Sequence, residues 1–221
     1  MTRLAIGDIH GRTFWKKYLD EDFTEFYFTG DYFDSFDVPF SGQIDNFREL
    51  CESARTDPRI KLCLGNHDYQ YLGRISPQRY SGFQEKNKMY ISEILEQHIN
   101  LLKILYTTPD RYLISHAGVS HTFMRKMERH GVANVEGINE AFLQDRDILT
   151  FNGYNMYGDD VTQSPIWIRP RSLESDPLAG YCQIVGHTPG ITIRETTVKK
   201  GRAEIKLIYI DTGDIESVYR F

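Results

Sequence analysis

Residues Leu62–Asp68 read Leu-Cys-Leu-Gly-Asn-His-Asp, a short apolar run that ends at a glycine and continues at once with three polar side chains. An apolar run bounded by glycine is typical of a buried strand. Asn, His and Asp are side chains that bind metals or move protons. The stretch therefore predicts a strand that delivers reactive groups at its carboxyl end.

The same pattern recurs at four other places in the chain. The repeats are Gly7-Asp8-Ile9-His10-Gly11 after Arg3–Ile6, Gly30-Asp31 after Phe26–Thr29, Ser115-His116-Ala117-Gly118 after Tyr112–Ile114, and Gly186-His187-Thr188-Pro189 after Gln183–Val185. In layered α/β folds, ligands bind just beyond the carboxyl ends of the strands. Five strand ends that each carry Asp, Asn or His predict one shared site.

A helical pattern between two of these strands indicates the fold class. Ser41 suits an N-cap, and the apolar residues from Ile44 to Ala54 lie on one helical face. Asp57-Pro58 ends this helix, and the strand Ile60–Leu64 follows. The alternation of strand and helix favours a layered α/β fold. Because the chain has no internal repeat or linker, we expect residues 1–221 to form a single domain.

The remaining patterns predict further elements along the chain. The predicted helices are Thr13–Leu19, Met89–Leu105, His121–His130 and Ile138–Leu149. The predicted strands are Arg111–Ser115, Gln183–Val185, Ile191–Arg194, Ile205–Ile210 and Ser217–Phe221. Short turns between the last four strands favour antiparallel pairing. The segment Asn152–Ser164 is expected to be irregular and on the surface.

Composition limits the functions that the chain can have. Hydrophobic residues are 40% and charged residues 26% of the 221, which is typical of a folded core. The net charge of −5 argues against broad binding to nucleic acid or membrane. Three cysteines without a C-x-x-C motif indicate reduced, buried thiols. Since the chain shows no signal-peptide pattern and no apolar run of membrane length, we expect a cytoplasmic protein.

Four of the seven histidines lie at glycine-flanked strand ends, namely His10, His67, His116 and His187. The other three fall in predicted helices, and we interpret them as structural or surface residues. Histidine suits first-row transition metals, and the amide oxygen of Asn66 is a good hard ligand. The carboxylate of Asp31 has two oxygens and can bridge two cations about 3.5–4 Å apart.

Taken in order, these motifs resemble those of the calcineurin-like metallophosphoesterases. The five motifs and the segment Tyr209-Ile210-Asp211-Thr212-Gly213 are most similar to the phosphoprotein-phosphatase branch, which includes serine/threonine phosphatases and diadenosine-tetraphosphatase-like enzymes. The match runs from residue 4 to about residue 213. It implies an α/β fold in the form of a four-layer α/β/β/α sandwich with mixed sheets.

The resemblance also implies a site with two divalent metal ions. The first ion would be held by Asp8, His10 and Asp31, and the second by Asp31, Asn66, His116 and His187. A hydroxide bridging the two ions would attack the phosphorus directly. His67 would protonate the leaving oxygen, and Asp34 would orient that imidazole. Mn, Fe, Zn and Co all suit these ligands, and manganese is favoured.

The chain differs from the phosphoprotein-phosphatase branch at two positions that bind the substrate phosphate in that branch. Ser35 and Phe36 follow Asp34 where the branch has Arg-Gly, and Leu64 stands where an arginine is common. Asp68 replaces the usual glutamate of the third motif.

Other residues are candidates for binding the substrate. Arg169, in Trp-Ile-Arg-Pro-Arg, lies where the branch places a further phosphate-binding arginine, and we expect Arg169 and Asn66 to bind the substrate phosphate. Arg12 and Arg171 are weaker alternatives. The aromatic residues after the second motif either cover the loop or form a wall against a nucleobase or peptide side chain; they are Tyr32, Phe33, Phe36 and Phe40.

Three functional hypotheses follow. The leading one is a metal-dependent phosphatase that cleaves phosphoserine or phosphothreonine in protein. The alternative is a hydrolase for phosphoanhydrides or phosphodiesters in nucleotides, of the diadenosine-tetraphosphatase type. A remote third is a non-catalytic scaffold with the same fold. The expected partners are accordingly a phosphorylated protein or a small phosphate or nucleotide substrate, with no nucleic-acid or membrane partner.

Overall fold

The computed structural model describes residues 2–72, 81–150, 159–213 and 216–221. The helices are α1 (Phe40–Thr56), α2 (Asn66–Tyr69), α3 (Lys88–Gln97), α4 (His121–Arg129), α5 (Gly137–Gln144) and α6 (Pro170–Ser175). The strands are β1 (Arg3–Ile6), β2 (Glu25–Phe28), β3 (Ile60–Cys63), β4 (Leu102–Lys103), β5 (Leu105–Thr107), β6 (Tyr112–Ser115), β7 (Cys182–Val185), β8 (Arg194–Lys200), β9 (Ala203–Tyr209) and β10 (Val218–Arg220).

Within the described residues, the strands form two mixed sheets. The first has the order β10-β1-β2-β3-β4, and the second has the order β5-β6-β7-β9-β8. Strands β1 to β4 run parallel, as do β6, β7 and β9, whereas β10, β5 and β8 are antiparallel edge strands. Because the parallel strands of a sheet end at one edge, each sheet gathers the polar segments that follow its strands.

The two sheets pack face to face through alternating side chains. The residues between the sheets include Ala5, Tyr27 and Cys63 from the first and Ile114, Ile184 and Ile208 from the second. Neighbours in the same strands, such as Leu4 and Phe28, face outward into the core that includes α1. On the far side, Leu173 of α6 packs against Leu207. This arrangement confirms the predicted four-layer α/β/β/α sandwich.

The predicted helix over Met89–Leu105 is wrong in its second half. Helix α3 ends at Gln97, and β4 and β5 take up the apolar residues that follow it. Leu102 pairs with Leu62, which adds an edge strand to the first sheet. The apolar spacing suited both structures, and backbone pairing with β3 outweighed the helical pattern.

The predicted strand Ile191–Arg194 is also wrong. Strand β8 begins at Arg194, and Ile191 is 91% exposed. The expectation that the last four strands pair antiparallel holds for β8 and β9, but β7 and β9 are parallel and β10 pairs with β1. An edge strand such as β8 is rich in Lys and Thr because one face meets water, so it lacks the apolar run used to find strands.

Three smaller differences concern helices and loops. Phe14–Tyr18 is a 3₁₀ helix, and the predicted helix Ile138–Leu149 is divided into α5 and a 3₁₀ turn. Part of the predicted surface segment, residues 152–158, lies outside the described residues, whereas Gln163 and Ser164 are buried. All three cysteines are free thiols. Among the helices in the described ranges, none is long and apolar enough to span a membrane.

Replacing Phe47 tests the packing of α1 on the first sheet. Its ring is fully buried, with centroids 5.2 Å from Tyr32 and 5.0 Å from Phe33. We expect Phe47→Ala to lower the free energy of unfolding by about 3–5 kcal/mol in a denaturant titration, because it leaves a cavity. Met89 is 76% exposed, and the control Met89→Ala should change stability by less than about 0.5 kcal/mol. Equal effects of the two substitutions would contradict this packing.

Candidate metal centre

The candidate metal ligands all follow strands at the same end of the two sheets. Asp8 and His10 come after β1, Asp31 after β2 and Asn66 after β3, whereas His116 follows β6 and His187 follows β7. Two glycines permit the close approach: a Cβ on Gly65 would overlap Asp31, and one on Gly186 would overlap Asp8. Among the described residues, one oxygen or ring nitrogen from each of Asp8, Asp31 and His116 lies within 4.8 Å of the others.

Backbone carbonyl groups orient three of the imidazoles. His116 Nδ1 lies 3.0 Å from Thr29 O, His187 Nε2 lies 3.2 Å from Trp167 O, and His10 Nδ1 lies 2.5 Å from Phe33 O. A carbonyl oxygen only accepts hydrogen bonds, so each of these ring nitrogens carries the proton and donates it. The opposite nitrogen of each ring is left with a lone pair. Metal-binding histidines are usually oriented in this way.

Two of these ring nitrogens and the side-chain oxygen of Asn66 face one another. Asn66 Oδ1 lies 2.7 Å from His116 Nε2 and 2.9 Å from His187 Nδ1, and the two nitrogens are 3.1 Å apart. Because both imidazoles donate their protons elsewhere, no hydrogen lies between these acceptors. Three buried acceptors at such distances repel one another unless a cation lies among them. These three ligand atoms therefore fit a divalent metal ion.

Asp31 lies between this group and His10. Its Oδ2 is 3.5 Å from His116 Nε2 and 3.9 Å from His10 Nε2. Asp31 Oδ1 accepts the backbone N–H of His67 at 2.9 Å. The carboxylate of Asp31 therefore lies within 3.9 Å of an imidazole on each side.

Asp8 and the imidazoles have pKa values that burial moves in opposite directions. Burial and the nearby carboxylate of Asp211 raise the pKa of Asp8 well above its usual value. Burial and the carboxylate of Asp8 raise the pKa of Asp31 in the same way. Burial lowers the pKa of His10 to about 4 and lowers the pKa values of His116 and His187. The imidazoles are therefore neutral near pH 7 and present lone pairs, as metal binding requires.

Asp68 is a supporting residue whose role the sequence reasoning missed. Its carboxylate accepts the backbone N–H groups of Asp31 at 2.9 Å, Tyr32 at 2.8 Å and Gly65 at 3.0 Å. It therefore joins the loop after β2 to the loop after β3. The three-residue spacing from Gly65 to Asp68 is that of a helix capping box, which was the available signal for the Gly65 contact.

His67 and Asp34 form a pair beside the ligands. His67 Nδ1 lies 2.9 Å from Asp34 Oδ2, and the ring centroid of His67 lies 5.3 Å from that of His10. The side chain of Asp34 is fully buried, whereas that of His67 is 17% exposed. Nε2 of His67 takes no part in the contact with Asp34, and the imidazole ring is partly exposed to solvent.

The three candidate arginines differ in position. Arg169 is half-buried and its Nη1 lies 3.1 Å from Thr188 Oγ1 and 3.4 Å from His187 O, beside the ligand loop. The side chain of Arg171 is 90% exposed and 3.9 Å from Asp159, and Arg12 forms an ion pair with Asp37 at 3.1 Å. Arg169 therefore contacts the loop that carries His187.

The aromatic residues after the second motif do not form one wall. Tyr32 and Phe33 are buried in the core, where both rings pack on Phe47. Phe40 begins α1, whereas Phe36 is 82% exposed. Two of the four rings, those of Tyr32 and Phe33, therefore anchor this loop in the core.

Comparison with known proteins identifies the family. Residues 1–190 match the family of calcineurin-like phosphoesterases. The chain belongs to this family and is a metal-dependent phosphoric ester hydrolase. Members of the family typically bind two divalent metal ions. No curated protein matches the chain.

The chain is similar to solved structures of phosphatases. A cold-active protein-tyrosine phosphatase of a psychrophilic Shewanella species is 16% identical, with a TM-score of 0.64, over 99% of this chain and 74% of that chain. A serine/threonine phosphatase from Saccharomyces cerevisiae, similar to human phosphatase PP5, is 14% identical with a TM-score of 0.49, over 96% of this chain and 67% of that chain. At 16% identity, the likeness to the first of these structures shows the fold alone.

The raised pKa values of Asp8 and Asp31 lead to a prediction about metal binding. Because burial raises the pKa values of Asp8 and Asp31, these carboxylates bind protons more readily than exposed aspartates do, and a cation competes with those protons. We therefore expect uptake of Mn²⁺ to release protons and its affinity to rise with pH. Calorimetry in buffers of different ionisation enthalpy measures this release. We expect the Asp8→Asn variant to release fewer protons when it binds Mn²⁺, because the amide has no proton to lose. A binding enthalpy that is the same in every buffer, with affinity flat in pH, would contradict the prediction.

Proposed function

We propose that this phosphoesterase hydrolyses phosphate monoesters, with phosphoserine and phosphothreonine in proteins as its substrates. The observation that carries the proposal is the group of three facing acceptors, Asn66 Oδ1, His116 Nε2 and His187 Nδ1, with Asp31 next to it. Such a group of facing lone pairs has little use other than binding a cation. A scaffold protein without catalytic function would have no need to keep it.

The ligands divide into two sets that share Asp31. Asp8, His10 and Asp31 would hold one cation, and Asp31, Asn66, His116 and His187 the other. Manganese is favoured among Mn, Fe, Zn and Co, all of which suit carboxylate, amide and imidazole ligands. When bound, the two cations supply an activated water and neutralise charge on the phosphoryl group. Asp8 is kept in place by the hydroxyl of Thr29 at 3.0 Å and the backbone N–H of His187 at 2.9 Å.

His67 is the proposed general acid. Its Nδ1 donates a proton to Asp34, so in a ring protonated on both nitrogens Nε2 carries the proton that would pass to the oxygen leaving with the alcohol. A serine or threonine alkoxide is a poor leaving group, and its protonation by a positioned acid contributes roughly 10²–10⁴-fold to the rate. Asp34 fixes the ring for this transfer.

Arg169 and Asn66 are the proposed phosphate ligands. Arg169 lies beside Thr188 and His187, and the carboxylates of Asp31 and Asp8 act electrostatically on its guanidinium. A guanidinium that binds phosphate oxygens is a stronger ligand than a neutral donor. Leu64 and Ser35 stand at positions where the related phosphatases have phosphate-binding arginines. Binding of a small phosphate therefore depends largely on the side chain of Arg169.

The surface beside Arg169 favours a peptide over a nucleotide. A cleft of about 530 Å³ begins at Pro170 and Thr188 and extends along residues 189–195 past the exposed Ile191. An extended segment on either side of a phosphoserine fits such an open groove. The burial of Tyr32 and Phe33 removes two of the rings that would stack on a nucleobase.

A comparison of two substrates tests the class. With Mn²⁺ present, we expect kcat/KM on a phosphoserine peptide to exceed that on diadenosine tetraphosphate by about tenfold or more, a difference of about 1.4 kcal/mol in transition-state stabilisation. We expect this difference because the open cleft beside Arg169 accepts a peptide, whereas the buried rings of Tyr32 and Phe33 do not stack on a nucleobase. Preference for the dinucleotide would establish the nucleotide hydrolase instead. No turnover of either substrate, with metal bound, would support the scaffold.

Arg169→Ala tests the phosphate ligand. On an aryl phosphate we expect the wild-type KM to be high, about 1 mM or more, because other clamps are missing. The substitution should lower kcat/KM about 10- to 100-fold, as expected for losing a hydrogen bond to a charged group. Arg171→Ala is the matched control and should stay within about twofold, since its side chain is 90% exposed. Equal losses in both variants, or a micromolar KM, would count against this assignment.

A further inference from the structure

Side chains other than His67 hold both oxygens of Asp34. Asp34 Oδ1 accepts the hydroxyl of Tyr71 at 2.5 Å, and Oδ2 accepts the side-chain amide of Gln70 as well as His67 Nδ1. Asp34 is buried, so these donors take the place of water. The direction in which the carboxylate faces His67 therefore depends on its other two partners.

The hydrogen of the Tyr71 hydroxyl has a fixed direction. The hydroxyl oxygen accepts the backbone N–H of Gln84 at 2.8 Å, so its one hydrogen is left for Asp34. The ring stacks on Phe83 with centroids 4.9 Å apart and planes 10° apart, which holds the hydroxyl in place. Burial and the bond to Asp34 raise the pKa of Tyr71, so the group stays a donor.

The backbone of Asp34 also needs support from its surroundings. Its φ of 65° lies in the left-handed region, which a non-glycine residue adopts at a cost. Gly82 packs directly on it, since a Cβ there would lie 2.7 Å from Asp34 O. Residues 82–84 thus contact both Asp34 and Tyr71 and hold them together.

We propose that Tyr71 is a positioning residue for protonation of the leaving group. Its hydroxyl fixes the Asp34 carboxylate, the carboxylate fixes the His67 ring, and the ring aims its Nε2 proton at the leaving oxygen. The oxygen of an attacking water forms a bond to phosphorus as the bond from phosphorus to the leaving oxygen breaks. The electron pair of the broken bond goes to the leaving oxygen, which takes the Nε2 proton of a His67 ring protonated on both nitrogens, and water later returns a proton to Nε2. This inference rests on the proposed role of His67 as the acid.

The leaving group separates this role from a structural one. An alcohol or phenol oxygen needs a proton as it leaves, whereas a dinitrophenolate leaves without one. Loss of alignment in the acid therefore slows only the substrates with poor leaving groups. A general disturbance of the fold or of the metal ligands would slow both kinds of substrate equally.

The experiment compares kcat on phenyl phosphate and 2,4-dinitrophenyl phosphate for the Mn²⁺-loaded enzyme. Tyr71→Phe removes only the hydroxyl, and we expect about a fivefold loss on phenyl phosphate, the equivalent of one hydrogen bond, with less than about a twofold change on the other. Tyr69→Phe is the matched control: its hydroxyl, on α2, donates to Arg146 O at 3.0 Å. This variant should keep the wild-type ratio of the two rates. Because both rates come from one preparation, a partly unfolded fraction cancels in the ratio.

Two results would overturn the inference: equal losses on the two substrates in Tyr71→Phe, or a rate ratio in Tyr71→Phe that matches that of Tyr69→Phe. His67→Asn, measured in parallel, tests the proposed acid itself. A selective loss on phenyl phosphate in His67→Asn but not in Tyr71→Phe would reject the role of Tyr71 and leave the proposed function in place. If His67→Asn shows no selective loss, the acid assignment fails, and the inference fails with it.

Discussion

Repulsion among buried acceptors is the constraint on which this structure depends. Asn66 Oδ1, His116 Nε2 and His187 Nδ1 lie within 3.1 Å of one another, and Asp31 Oδ2 is 3.5 Å from His116 Nε2. An arrangement of this kind is unfavourable by itself, and burial makes it more so. It is stable only where a cation offsets the repulsion and the fold holds each ligand against it. The scaffold can be understood as the means of holding those atoms in place.

The scaffold holds the ligands chiefly through backbone groups. Carbonyl oxygens that belong to the strand ends and their loops orient the imidazoles, and Asp68 gathers three N–H groups from two loops. Backbone atoms move little once the sheets have formed, so these bonds position the ligands more firmly than flexible side chains would. At the proposed acid, side chains do the positioning instead: Asp34 has a left-handed backbone conformation, and its two oxygens accept from Tyr71 and His67. The proposed ligands and the proposed acid are thus held in place before a substrate binds.

The sequence predicted the fold well where the hydrophobic pattern and the glycines agreed. The strand over Arg3–Ile6 and the residues that follow it were predictable because a buried parallel strand is apolar throughout and ends at a turn. The strands that begin at Leu102 and Arg194 were not predictable. They form at sheet edges by pairing with β3 and β9, and a local sequence pattern contains no information about such pairing.

Parts of the candidate site were beyond sequence reasoning for a similar physical reason. The convergence of Asp8, Asp31 and His116 followed from strand ends alone, and the assignment of each as a ligand stays a prediction. The hydroxyl of Tyr71 reaches Asp34 across 37 residues, and no spacing rule relates the two. The roles of Asp68 and Tyr71 depend on which loops the sheets bring together, so they appear only once the tertiary structure is known.

The central claim is that Asp31 lies between two cations. Anomalous diffraction from crystals of the Mn²⁺-loaded protein measures this most directly. The account predicts two peaks about 3.5–4 Å apart, with Asp31 in contact with both. One peak should also contact Asp8 and His10, and the other Asn66, His116 and His187. A single peak, or two peaks of which either lies away from Asp31, would contradict the account.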